Sequence, residues 1–262
     1  MLTYRRETAG RPSAPECLEL GIRKAHTFYK KKNLPLKGGQ IMEKERQVLV
    51  IFPHPDDEAF GVSGTISKFI HEGTPVTYAC LTLGQMGRNL GNPPFATRES
   101  LPDIRKNELQ EAARAMGLED LRMLGYRDKT IEFLKEEVLV NEFTALMDEL
   151  NPSLVITFYP GYSVHPDHDA TGAAVVKAMQ QREVSKRAKL YCVAFSKNCE
   201  EDLGKPNIEI DVKNYVDKKV ATIAAHLSQT QSYAASLQEG INNQDQEILT
   251  RLYTERYWQY NF

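Results

Sequence analysis

The chain has 262 residues with 33 Lys+Arg against 35 Asp+Glu, a formal net charge of −2. That balance argues against a nucleic-acid partner, and a composition of 41% hydrophobic and 26% charged residues excludes disorder throughout. No run approaches the roughly 18 apolar residues of a membrane span. Four scattered cysteines, Cys17, Cys80, Cys192 and Cys199, with no CxxC pair, argue against a disulfide framework.

Residues 1–41 carry nine Lys+Arg against three Asp+Glu, net +6, whereas 43–262 are net −8. Pro12, Pro15, Pro35 and Gly38-Gly39 break this segment, and it has no convincing apolar face. Its basic residues are followed by no apolar h-region, so a cytoplasmic protein is expected. Lys37-Gly38-Gly39 reads at the codon level as a bacterial ribosome-binding site ahead of Met42. The expectation is that Met42 is the true start, that 1–41 is a non-native or disordered extension, and that 43–262 form a single domain.

From Val48 onward, strands and helices alternate. Val48–Phe52 is a short β-branched run ended by Pro53, and 60–72 carry helical apolar spacing. A strand over 76–83 leads into a polar loop through Arg98. Leu101–Met116 is helical and stops at Gly117. A short strand near 122–124, a helix over Glu136–Leu150, a strand over Leu154–Phe158 after Pro152, a helix over 168–181 and a strand over 189–195 follow. Such alternation predicts an α/β fold, a Rossmann-like three-layer sandwich with a mainly parallel sheet. Ligand chemistry then belongs at the carboxyl ends of the strands.

Two loops at such ends hold His and Asp together: Pro53-His54-Pro55-Asp56-Asp57-Glu58 and His165-Pro166-Asp167-His168. His54 and Asp57 lie three apart across a Pro-stiffened turn, and His168 can add a third ligand. Two imidazoles and a carboxylate leave a tetrahedral Zn²⁺ with one open position, the pattern of catalytic sites. Fe²⁺ or Co²⁺ would use the same donors. Asp56 is then the general base and His165 the oxyanion partner and acid, with Asp167 expected to hold the His165 ring. His226, at a predicted helix end, reads as a structural cap. Cys80 and Cys192 read as core, and the aromatic C-terminus as cover for a core edge.

The two His/Asp motifs together resemble the LmbE/PIG-L family of zinc-dependent N-acetylglucosaminyl deacetylases. Thr82–Asn89, Arg122–Asp128 and Thr157–Tyr162 further resemble the bacillithiol-biosynthesis deacetylases of the second type. The resemblance implies one Zn²⁺ per chain on His54, Asp57 and His168, and Asp56 and His165 as catalytic residues. It implies hydrolysis of the N-acetyl amide of N-acetylglucosaminyl malate, and in some members a homo-oligomer. Arg105 matches the family's substrate arginine, and Arg88 and Asp128 are further candidates for contact with the sugar glycoside. Gln85 stands where many relatives carry Glu. The loop 84–98 reads as a mobile substrate loop. The alternatives are a bacillithiol S-conjugate amidase and, from another class, a metal- or nucleotide-binding module without turnover.

Overall fold

The computed structural model describes residues 44–262. The readings placed on the basic N-terminal segment lie outside them. In chain order the elements are β1 (Val48–Phe52), α1 (Asp57–Gly61), α2 (Ser63–His71), β2 (Val76–Thr82), α3 (Leu101–Met116), β3 (Asp120–Tyr126), α4 (Glu136–Leu150), β4 (Leu154–Phe158) and α5 (Pro166–Gln180). The second half continues with β5 (Lys189–Val193), α6 (Cys199–Leu203), β6 (Ile208–Asp211), α7 (Val216–Ala225), α8 (Leu227–Asn242), α9 (Gln246–Tyr253) and β7 (Thr254–Gln259).

The strands form one seven-stranded sheet in the order β3-β2-β1-β4-β5-β7-β6. The five strands from β3 to β5 are parallel, whereas β7 runs antiparallel to both β5 and β6. Every residue of β1, β2 and β4 is buried, as expected for parallel strands covered on both faces. Alternation sorts those residues between two layers. Leu49, Ile51, Ala79, Leu81 and Val155 pack with Phe143 of α4 and Val175 of α5 on one side. Helices α2, α3 and α7 pack together elsewhere in the domain. No helix among the described residues is long and apolar enough to cross a membrane.

Three differences from the sequence reading bear on the site. The helix expected over 60–72 starts earlier and breaks at Val62, giving α1 and α2. The expected helix over 168–181 starts at Pro166, which puts His165 at its N-cap. The aromatic C-terminus does not cover an edge but enters the sheet as β7. Strand order reverses at β1, with β2 on one side and β4 on the other, so the loops after β1 and β4 flank a topological switch point.

Candidate metal centre and active site

The loop after β1 delivers His54, Asp56 and Asp57. The backbone N–H of His54 donates to Asp57 Oδ2 at 2.8 Å, closing the turn. Asp56 sits at φ 102°, a left-handed conformation that costs a non-glycine residue about 1–3 kcal/mol. Its N–H donates to Glu58 Oε2, and its carbonyl accepts from Ala59 N–H. The loop after β4 delivers the second motif. Pro166 at the first helical position requires His165 to be extended, and the His165 ring accepts the Asp167 N–H at Nδ1, acting as the cap.

Three donor atoms converge between these loops. His54 Nδ1 and His168 Nε2 are 3.1 Å apart, His168 Nε2 is 3.2 Å from Asp57 Oδ1, and His54 Nδ1 is 3.6 Å from Asp57 Oδ2. Zinc–nitrogen and zinc–oxygen bonds near 2.0–2.1 Å at tetrahedral angles imply donor separations of roughly 3.3 Å. The outer hydrogen bonds orient the rings. His168 Nδ1 donates to the Ser163 carbonyl at 2.9 Å, and the ring stacks on Phe158 with centroids 4.1 Å apart. His54 Nε2 lies 3.1 Å from Asp128 Oδ1 and 3.2 Å from Asp167 Oδ2. With those outer nitrogens protonated, the two facing nitrogens both present lone pairs, which repel at 3.1 Å unless a cation lies between them. The donor set therefore fits a divalent metal ion.

The charge balance points the same way. Burial opposes a charge on His54, but Asp128, Asp167 and Asp57 outweigh it and push its pKa up to about 10. Burial likewise opposes charge on His168, and Asp57 more than compensates, raising its pKa. Without a metal ion the centre attracts protons, because its carboxylates outnumber its cations. Burial raises the Asp56 carboxyl to about 6, with Arg105 opposing and Asp57 adding to the rise. His165, half-buried beside His54 and His168, is held below the usual histidine range by burial and by those neighbours.

Some expected partners are different. Asp167 does not hold the His165 ring with its carboxylate. That carboxylate is fully buried, faces His54, and accepts the Lys129 N–H at 2.7 Å and the Ile131 N–H at 3.1 Å. Only the Asp167 N–H reaches His165, because at the start of a helix the free backbone donor points at the capping ring. Asp128, expected near the sugar, is buried against His54 and accepts the Met86 N–H. Arg105 is also buried. It donates to Asp56 Oδ2 at 3.0 Å, to the Gly84 carbonyl at 3.2 Å and to the Pro55 carbonyl, so it grips the base. Glu108, one turn on from Arg105 in α3, accepts the backbone N–H and the hydroxyl of Ser228. Arg88 is exposed on the loop after β2. That loop is pinned to α8 rather than free: Leu90 N–H donates to Ser228 O, Gln229 Nε2 to Arg88 O and Asn92 N–H to Gln231 Oε1.

A second layer beneath Asp56 escaped the sequence reading. Glu58 is fully buried, with Oε2 accepting from Asp56 N–H and from Tyr78 OH, and Oε1 lying 2.5 Å from His226 Nε2. His226 makes no side-chain cap. Burial opposes its charge, but Glu58 raises its pKa. Removing either partner of such a buried pair costs about 3–5 kcal/mol. The signals were Glu58 at the end of the first motif and a histidine between two helices.

A family model described as GlcNAc-PI de-N-acetylase, PIG-L, matches residues 49–179. The chain is 49% identical over 221 residues to the probable N-acetyl-alpha-D-glucosaminyl L-malate deacetylase 2 of Bacillus anthracis, covering 84% of this chain and 98% of that protein. Among solved structures, the inhibitor-bound N,N'-diacetylchitobiose deacetylase of Pyrococcus horikoshii superposes with a TM-score of 0.64 at 23% identity, covering 97% of this chain and 95% of that one. The 4-carboxy-2-hydroxymuconate hydratase GalB of Pseudomonas putida KT2440 shares the fold at a TM-score of 0.63 and 19% identity, covering 83% and 97%. The same fold thus carries names of different chemistries, and the reaction must be argued from the site. By its matched model and its sequence relatives, the chain belongs to the PIG-L family.

Proposed function

We propose that the chain is a zinc-dependent N-deacetylase that hydrolyses the acetamide of N-acetylglucosaminyl malate to acetate and glucosaminyl malate. The observation that carries this reading is the convergence of His54 Nδ1, Asp57 and His168 Nε2, with Asp56 adjacent in sequence to one ligand and His165 in ring contact with the other two. The name of the B. anthracis relative supports the substrate.

His54, Asp57 and His168 would hold the zinc. When bound, it supplies Lewis acidity toward the acetamide carbonyl and lowers the pKa of water. Asp56, gripped by Arg105, takes a proton from the attacking water as its oxygen adds to the carbonyl carbon. His165 accepts a backbone N–H at Nδ1, so its neutral ring carries its proton on Nε2 and donates that hydrogen bond to the developing oxyanion. Asp56, protonated by the attacking water, returns that proton to the leaving amine as the C–N bond breaks. Asp128 and Asp167 orient His54. Arg105 positions Asp56.

Acetate release from N-acetylglucosaminyl malate, a bacillithiol S-conjugate and N-acetylglucosamine tests the reading, with chelator-treated and zinc-restored protein side by side. Chelator-sensitive, zinc-restored turnover favouring the malate glycoside is expected. Turnover confined to the conjugate would transfer the protein to detoxification, and none with zinc bound would leave a binding module.

A further inference from the structure

Asp56 is held twice. Arg105 Nη2 donates to its carboxylate at 3.0 Å, and its own backbone N–H donates to Glu58 Oε2 at 3.2 Å. The second grip bears on geometry, because a residue at φ 102° keeps so sparsely populated a conformation only where its surroundings over-determine it. Glu58 reaches back to an N–H at the start of α1, much as the acidic residue of a capping box does. A cap alone needs one carboxylate oxygen and no burial. Here the carboxylate is fully buried and three donors converge on its two oxygens. Tyr78 OH joins the Asp56 N–H on Oε2 at 3.0 Å, and His226 Nε2 holds Oε1 at 2.5 Å. A carboxylate only accepts, so Nε2 carries the proton.

His226 is fixed in turn. It forms the corner between α7 and α8, where its carbonyl accepts the N–H groups of Gln229 and Thr230 and the Thr230 hydroxyl. Two residues on, Ser228 is bound to Glu108 of α3, the helix that carries Arg105, so both grips on Asp56 start from one frame. The His226 ring is fully buried, yet its Nδ1 has no hydrogen-bond partner among the described residues. An unpaired buried ring nitrogen opposes stability, so what a histidine adds at this corner is its Nε2 contact with Glu58.

Resting on the deacetylase reading, we infer that His226 is a positioning residue for the reaction, acting through Glu58 to hold the Asp56 backbone so that its carboxylate stays at the attacking water. Neither His226 nor Glu58 is exposed, so neither touches substrate, and their effect falls on kcat rather than KM. A misplacement of about 1 Å at a reacting group costs roughly 100-fold in rate.

The test pairs kinetics with the amide resonance of Asp56 in zinc-loaded wild type, His226→Leu and His226→Gln, whose side-chain amide can donate to Glu58 in place of Nε2. In His226→Leu, kcat for acetate release should fall roughly 10- to 100-fold with KM and zinc content unchanged, and the Asp56 amide proton should shift upfield as its hydrogen bond to Glu58 weakens. His226→Gln should return both most of the way to wild type. Leu146→Ala, a truncation in the core on α4, should lower Tm and leave kcat and the resonance in place. Should His226→Leu fail to fold, Tyr78→Phe removes one donor from the same carboxylate and keeps the ring, and it should move kcat and the resonance in the same direction by a smaller amount. A resonance or kcat unmoved in the folded variant, a loss lying in KM instead, no recovery with glutamine, or the same two changes in Leu146→Ala overturns the inference. Wild type that releases no acetate would remove the deacetylase reading, while the resonance still decides whether His226 holds Asp56.

Discussion

Gly172→Ala sets helix propensity against tertiary packing with opposite signs. Gly172 lies inside α5, four residues after His168, where alanine would ordinarily stabilise by about 1 kcal/mol. A Cβ there, however, would stand 2.4 Å from the Phe158 carbonyl oxygen and 3.2 Å from its carbon. The obstacle is backbone at the end of β4, so no side chain can rotate away. To reach even 3.0 Å, the helix must withdraw by about 0.6 Å. Overpacking of this kind costs about 1–3 kcal/mol, and an immovable neighbour places it near the upper figure. Subtracting the propensity gain leaves a loss of about 2 kcal/mol, or about 4–8 °C in Tm for a domain of this size. The same withdrawal lifts the His168 ring from Phe158 and from its partners at the metal centre. Urea unfolding of chelator-treated protein and competitive zinc titration would measure both effects. A variant as stable as wild type, with unchanged zinc affinity, would refute the argument that this contact sets the position of α5.

Asp56→Asn should retain zinc while kcat falls by roughly 10²–10⁴, as measured by metal content and acetate release. Because Asp56 must be ionised to accept a proton and burial raises its pKa to about 6 in the metal-free chain, kcat/KM should fall as pH drops through that value or below, since a bound cation can only lower it. An acid limb above pH 7 would contradict this. Asp128→Asn should weaken zinc binding by roughly 10- to 100-fold through the orientation of His54, and an unchanged competition curve would make Asp128 idle. Zinc binding at pH 7 should release protons, because His54 and His168 both have raised pKa values without metal. Calorimetry in two buffers of different ionisation enthalpy would then give different heats, and equal heats would count against it.

Local signals were strong where an element is bounded by its own residues. Leu101–Met116 ends at Gly117, and Glu136–Leu150 is separated from Leu154–Phe158 by Pro152, so their limits match the sequence reading. The strand β7 was hidden for a physical reason. Its inward-facing Glu255 is buried, held by Lys219 and by the N–H groups of Gly64 and Thr65, so the apolar alternation that reveals a strand is interrupted by a charge. At the site, the two motifs revealed which residues meet but not which atoms face one another. Asp167 is two residues from His165, yet its carboxylate serves a histidine 113 positions away. Glu58 and His226 are 168 apart in sequence, and no local spacing encodes their contact.

The place of β7 also has a consequence for biosynthesis. Strand β6 is complete by residue 211, but within the sheet its partner is Thr254–Gln259, more than forty residues later in the chain. Until Thr254–Gln259 have been made and are free to pair, β5 has β4 on one side and no strand on the other, leaving an open, aggregation-prone edge. The parallel strands bearing both His/Asp motifs precede that point, so the metal-binding half can assemble during translation. The sheet closes only when β7 inserts between β5 and β6, and a chain stopped short of residue 254 would leave β6 without its place and β5 exposed.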